Sequence, residues 1–326
     1  TPEPTATATP EPTPAGLSEA DLARIKPNEM GWVLVLEYHL IEEPDAQYSR
    51  SPAGVRSDLE WLHKNNFYPI TFRDLANGAI DIPAGKSPVV LTFDDSSDGQ
   101  FRYLPDGKVD PTSAMGIMQA FAAENPDFPA VGVFFPLIDV DVPERVLFGQ
   151  PEEATRKLKE IVELGGEVGS HTYTHLRLDL ADADQIQWQL AFSTKELEER
   201  IGDGYKVTSL SLPLGMYPED ESLLEKGESE GVKYAFAAAA EVAGGASPSP
   251  FSRNFNRYHI RRTQAVASEL DYWFPLFEER PELKFTSDGD PSVVTIPSEE
   301  TLPEEQQGLL GDSLPDGLTL RRYERK

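Results

Sequence analysis

Cysteine is absent from all 326 residues of the chain. That excludes disulfides, thiolate metal sites and a cysteine nucleophile, and it leaves the redox compartment open. No stretch approaches the ~20 apolar residues of a membrane span. Basic residues are scarce: 29 Lys and Arg stand against 56 Asp and Glu, a formal net charge of -27. So acidic a chain is repelled by nucleic acid and anionic membrane, and a neutral or cationic ligand is easier for it to accommodate. Histidine is also rare, with five in the chain, so any local concentration of it carries weight.

What is present is a globular composition, 39% hydrophobic and 10% aromatic. The length suits one α/β barrel or two ordinary domains. Residues 1–15 are almost wholly Thr, Pro, Glu and Ala, which bury little and favour extended conformations. The expectation is a linker or stalk over 1–27 and an extracellular or surface-tethered location, with the signal or anchor outside this sequence.

Short apolar runs ending in polar tips recur along the chain. Trp32-Val33-Leu34-Val35-Leu36 leads to Glu37, Tyr38 and His39, and Pro88-Val89-Val90-Leu91-Thr92-Phe93 leads to Asp94-Asp95. Further strands are expected at 68–71, 131–137, 167–171, 207–212, 233–240 and 258–263. Helices are expected at 51–67, 72–76, 113–123, 152–164, 184–201, 219–231 and 267–279, with a long loop over 96–112. Strands alternating with helices imply a parallel sheet, and at this length closure into a barrel is favoured. From residue 285 the chain is acidic and rich in Pro, Ser and Gly, an extension expected as irregular coil or a mobile tail.

Two stretches bear chemistry. Asp94-Asp95 sits at the C-terminal tip of a buried strand, where active sites of α/β folds are built; the same pair also reads as a helix cap or turn. Gly169-Ser170-His171-Thr172-Tyr173-Thr174-His175 places two histidines four apart, which reads as a metal site or as a satisfied structural pair. Two imidazoles and one carboxylate form the ligand set of many catalytic zinc and iron sites.

Together, Thr92-Phe93-Asp94-Asp95, His171-Thr172-Tyr173-Thr174-His175 and Leu212-Pro213-Leu214-Gly215 resemble the first three motifs of the polysaccharide deacetylases, the NodB-homology or carbohydrate esterase family 4 enzymes. The resemblance runs from about Trp32 to Thr263. It implies an α/β fold, a distorted (β/α) barrel of about seven parallel strands of the NodB-homology type, with a catalytic domain over 28–284 and an acidic extension over 285–326. It also implies a divalent metal, zinc first and cobalt or nickel as alternatives, and an N-acetylated polysaccharide as substrate. By position, Asp94 is the general base, and Asp95, His171 and His175 are the metal ligands. Tyr173, Pro213 and Tyr217 are candidate substrate contacts, each tyrosine having core or rim packing as its other reading.

Three departures qualify the transfer. Ser211 stands where the family commonly has an Arg that orients the catalytic Asp; Arg261 or Arg262 can replace it from the last strand, and Arg262 is the choice here. Ser96 follows the Asp pair where Gly is common. The family's general acid is a His in a Leu-x-His motif, whose nearest match is His259 in Tyr258-His259-Ile260, with His39 as rival. The expected function is metal-dependent removal of acetyl groups from N-acetylglucosamine-containing polysaccharide. Its alternatives are an impaired carbohydrate-binding module of the same fold and an amide hydrolase acting on a small molecule. Oligomeric state stays open.

Overall fold

In a computed structural model that describes residues 17–325, the recurring apolar runs become one parallel sheet. Its strands are β1 (Leu34–Tyr38), β2 (Phe67–Pro69), β3 (Ser87–Asp94), β4 (Val133–Phe135), β5 (Glu167–Val168), β6 (Ser209–Ser211), β7 (Ala238–Gly244) and β8 (Ile260–Gln264). Seven follow one another in the order β5, β4, β3, β1, β8, β7, β6, while β2 pairs with the first half of β3. β4 takes the second half of that same edge, from Thr92 opposite Val133 to Asp94 opposite Phe135. Just beyond β5, Ser170 bridges Leu210 of β6, so the seven strands form a nearly closed barrel.

Strand alternation sorts the side chains into two sets. Leu34, Leu36, Leu91, Phe93 and Ala239 face the helices α2 (Pro52–Lys64), α4 (Ala114–Glu124), α5 (Ala154–Glu163), α6 (Ala183–Ile201) and α7 (Ala267–Glu279). Val33, Val35, Val90, Ala238, Ala240 and Ile260 form the other, inner set. Glu37, Thr92, Asp94 and Arg262 continue the inner parity toward the strand tips, and all four are buried. An apolar inner layer therefore carries a polar layer above it, and that polar layer is where the chemistry sits.

Residues 219–231 are not the expected helix. A short 3-10 turn (Glu221–Leu224) leads into an antiparallel hairpin of Lys226–Ser229 and Val232–Ala235. Its two-residue turn, Glu230-Gly231, has φ of 52° and 80°, the left-handed pair that such hairpins need and that Gly supplies cheaply. The expected strand 233–240 is accordingly divided between this hairpin and β7.

The Thr/Pro-rich residues 1–16 lie outside the described residues. Within the rest of the stretch read as linker, α1 (Glu19–Ile25) starts from a Ser18–Asp21 capping box and buries Leu22. At the other end, the extension read as coil or tail contributes β9 (Val293–Pro297) paired in parallel with β10 (Thr319–Tyr323). Its Phe285, Val294 and Ile296 are fully buried and join the inner apolar set. Trp32 donates to the Leu283 carbonyl at 2.7 Å, and Phe285 N–H donates to that of Trp32 at 2.9 Å. Gly31 permits this approach, since a Cβ there would stand 2.2 Å from the Lys284 carbonyl carbon. The extension thus packs at the start of β1, away from the strand tips.

Candidate active site

β3 ends at Asp94, and the next two residues turn sharply, with φ of 72° at Asp95 and 47° at Ser96. This break lets adjacent carboxylates take different surroundings, which a continuing strand would only place on opposite faces. Thr172, His175 and Leu214 are also left-handed, at 61°, 58° and 58°. Non-glycine residues held there cost about 1–3 kcal/mol each and cluster where function demands them.

Asp94 is 1% exposed. Its Oδ1 accepts from Arg262 Nη1 at 2.9 Å and its Oδ2 from Arg262 Nη2 at 2.7 Å, a bidentate fork. Ser211 Oγ donates to the same Oδ2 at 2.8 Å. Arg262 spends its other hydrogens on Glu37 Oε1 (2.6 Å), Thr92 Oγ1 (3.1 Å) and the Glu241 carbonyl (2.5 Å). Burial alone would raise the Asp94 pKa, but the Arg262 charge, then that of His171, outweighs it and holds the carboxyl well below its usual range. Glu37 shows the opposite balance, with burial raising its pKa well above the usual despite Arg262. The charge missing at Ser211 is therefore supplied by Arg262 from β8, and the Ser211 hydroxyl adds a hydrogen bond.

Asp95 Oδ1 lies 3.3 Å from His171 Nε2 and 3.4 Å from His175 Nε2, while Oδ2 pairs with Arg145 Nη2. Oδ1 is buried and has no hydrogen-bond partner. His171 Nδ1–H donates to the Ser211 carbonyl at 2.8 Å, which turns the Nε2 lone pair toward Asp95. Two atoms each about 2 Å from one ion at a tetrahedral angle are about 3.3 Å apart. The orphaned carboxylate oxygen, the two imidazole nitrogens and the second-sphere carbonyl thus fit a divalent cation. The Asp95 carboxyl is held at about 2, with burial opposed chiefly by His171 and Arg145. His175 is pushed down to about 4 by burial and by His171, whereas His171 is raised, its burial outweighed by Asp94 and Asp95.

The loop carrying both histidines is clamped from α6. Gln189 Oε1 accepts from Tyr173 N–H and Thr174 N–H, each at 2.8 Å, and its Nε2 donates to Thr174 Oγ1 at 2.8 Å. Thr172 Oγ1 accepts from Leu176 N–H at 3.2 Å.

Asp94, Asp95, His171 and His175 open onto a cavity of about 560 Å3, whose wall also includes His39, Tyr48, Arg145, Leu212, Leu214, Met216 and Gln264. A larger groove of about 680 Å3, between α6 and the hairpin, holds none of the candidate site residues. Arg262 lies behind Asp94, and four further sequence candidates are not brought to the cavity wall. His259 is bound at both ring nitrogens, 3.0 Å from Glu241 and 3.0 Å from Glu221, and Tyr217 stacks on it at 4.4 Å. Tyr173 packs edge-on to Trp188 at 5.1 Å. Pro213 is buried at the start of a 3-10 turn (Pro213–Gly215), where its role is to project Leu214. His39 does reach the cavity, 3.8 Å from Glu37, and burial, partly offset by Asp94 and Asp95, lowers its pKa. Arg145, Gln189 and Glu37 carried no motif signal; only the polar tip of β1 pointed toward Glu37.

Residues 134–235 match the family model of the polysaccharide deacetylases, a stretch that includes both histidines and Ser211 but neither Asp94 nor Arg262. No curated protein matches the sequence. BC0361, a polysaccharide deacetylase from Bacillus cereus, superposes with TM-score 0.55 at 20% identity over 76% of this chain and 68% of its own. The Streptococcus pyogenes deacetylase PplD, solved with acetate, gives 0.52 at 17% identity over 72% and 92%. The candidate polysaccharide deacetylase BA0330 of Bacillus anthracis gives 0.52 at 20% identity over 72%, and this chain spans 64% of its length. Residues 134–235 thus resemble the polysaccharide deacetylase family in sequence, and the barrel shares the fold of these solved deacetylases.

Proposed function

We propose that this protein hydrolyses the acetamide of N-acetylglucosamine units in a polysaccharide, releasing acetate and leaving a free amine. One observation carries the reading: Asp94, fixed by Arg262 and Ser211, opens onto the same cavity as the Asp95–His171–His175 triad. Those three residues would hold a divalent ion, zinc by preference with cobalt or nickel as substitutes, which when bound polarises a carbonyl and acidifies water. Asp94 accepts the proton of the attacking water, and Arg262 and Ser211 keep it ionised and aimed. His39 donates the proton to the leaving amine; it lines the cavity, and His259 does not. The exposed rim residues Tyr48 and Leu214 offer aromatic and apolar surface to the faces of sugar rings.

Exposed Tyr48 and Leu214 at the rim favour a polymer over a small amide, and the Arg262 fork on Asp94 weighs against a barrel that binds without turnover. We assign the catalytic unit to 28–284, supported from below by the extension, and place the protein outside the cell or at its surface because of its Thr/Pro-rich leader and polymeric substrate. The test is acetate release from N-acetylglucosamine oligomers by stripped protein before and after zinc is restored. Zinc-dependent release supports the reading; no release from any N-acetylated oligomer with any of the three metals overturns it.

A further inference from the structure

Among the described residues, Arg145 is the one Lys or Arg side chain lining the cavity. It comes from a 3-10 turn (Pro143–Arg145) that lies outside the three sequence motifs. Its placement is deliberate in a physical sense. Ser96 Oγ donates to the Arg145 carbonyl at 2.6 Å and accepts from Leu137 N–H at 3.0 Å, tying the turn to the end of β4 and to the Asp pair. Leu147 N–H donates to the Leu137 carbonyl at 3.1 Å and secures the other side. The serine found where the related sequences commonly have glycine is thus the anchor of this arginine.

The two arginines at the site are used differently. Arg262 is wholly buried, with partners on all three of its nitrogens. Arg145 touches Asp95 through Nη2, while its buried Nε has no partner. With Nη2 on Asp95 and Nε buried, Nη1 is the donor left to meet an anion, on a side chain that is partly exposed at the cavity wall. Charge counting points the same way. With a dication on the triad, the ion and the two guanidiniums outnumber the ionised Asp94 and Asp95 by two charges, and the surplus persists if Glu37 ionises. In a chain of net charge -27, such a local positive surplus is the place where an anion is accepted at short range.

We infer that Arg145, held by Ser96, selects substrates that carry a carboxylate close to the acetamide being cleaved. This rests on the deacetylase reading and narrows it to an acidic N-acetylated glycan. The carboxylate has two possible sources, an ether substituent on the acetamido sugar itself or a uronic acid next to it.

Binding tests this separately from turnover. The zinc-loaded Asp94→Asn protein, with and without Arg145→Gln, is titrated calorimetrically with three tetrasaccharides. One is plain N-acetylglucosamine, one alternates it with its 3-O-lactyl ether, and one alternates it with glucuronic acid. The expected result is a preference for one carboxylate-bearing tetramer over the neutral one, about tenfold or more as charged hydrogen bonds supply. Arg145→Gln removes that preference, Arg145→Lys retains part of it, and Ser96→Gly weakens it while the Arg145 side chain is still present. Which acidic tetramer is preferred identifies the source. Equal affinity for neutral and acidic tetramers, equal losses for both on Arg145→Gln, or binding of none of the three overturns the inference. If acidic tetramers bind with the expected preference yet wild type releases no acetate, the deacetylase reading fails and the carboxylate site stands.

Discussion

Arg262 meets Asp94 edge to edge, 2.9 Å from Nη1 to Oδ1 and 2.7 Å from Nη2 to Oδ2, across 168 positions of chain. The pair is fully buried and also holds Glu37. The arginine that meets Asp94 comes from β8 rather than from position 211, where Ser211 adds a hydrogen bond to the same carboxylate.

Replacing Arg262 by Met leaves two buried carboxyls without their cation. Breaking a buried pair in this way costs about 3–5 kcal/mol, to be read from urea unfolding. Arg262→Lys keeps the charge but loses the fork, so it is expected to fold while acetate release falls by about a hundredfold, the scale of a misplaced catalytic group. Full activity in Arg262→Lys contradicts the orienting role.

His39 and His259 separate cleanly by position. His39→Gln is expected to lower acetate release by about a hundredfold or more, the contribution of a general acid. His259→Gln loses contacts to Glu221 and Glu241 at the rim and leaves turnover within about threefold. Reversal of these two results in a kcat measurement would restore His259 as the acid.

Gln189 touches no candidate ligand, yet its Oε1 serves two backbone N–H groups between His171 and His175. Gln189→Ala leaves both without an acceptor, at about 1–3 kcal/mol, and loosens the loop that presents His175. Zinc affinity, measured by competition with a chelator, is expected to fall by about tenfold or more, the effect of losing an outer-sphere support. Unchanged affinity would assign Gln189 to folding alone.

The triad also fixes a pH dependence. Without an ion, the pKa of His171 is raised and that of His175 lies at about 4, so near pH 6 the proton sits on His171. A raised histidine contributes stability that is fully present below its unfolded pKa and lost as pH rises through its folded pKa. A cation needs both imidazoles neutral and therefore stabilises most above that folded pKa. The rise in Tm on adding zinc is expected to grow between pH 6 and pH 8, with about one proton released per ion at the lower end. A rise that is flat or shrinks with pH contradicts this assignment of the proton.

The sequence made the tips of β1 and β3 and the His-x-x-x-His loop legible because each is local: an apolar run, then a polar end. Arg262 was legible as one of two neighbours, and strand parity explains the outcome, since Arg262 shares the inner face with Ile260 while Arg261 points the other way. His259 failed for a related reason. It precedes β8 and is held at the rim by Glu221 and Glu241, contacts between segments that no spacing reveals. Residues 219–231 misled because Glu230-Gly231 closes a hairpin through two left-handed residues while the flanking residues keep helix-like composition. The acidic extension hid its apolar anchors, Phe285, Val294 and Ile296, among residues typical of coil.

The central claim is that Asp95, His171 and His175 hold the ion while Asp94, beside them, handles the proton. The most direct measurement pairs zinc content with acetate release for wild type and Asp94→Asn. The expected result is one zinc per chain in both proteins, with release in wild type and a loss of at least about a hundredfold in the variant. Equal release by Asp94→Asn, or loss of zinc together with activity, would contradict that division of labour between the two adjacent carboxylates.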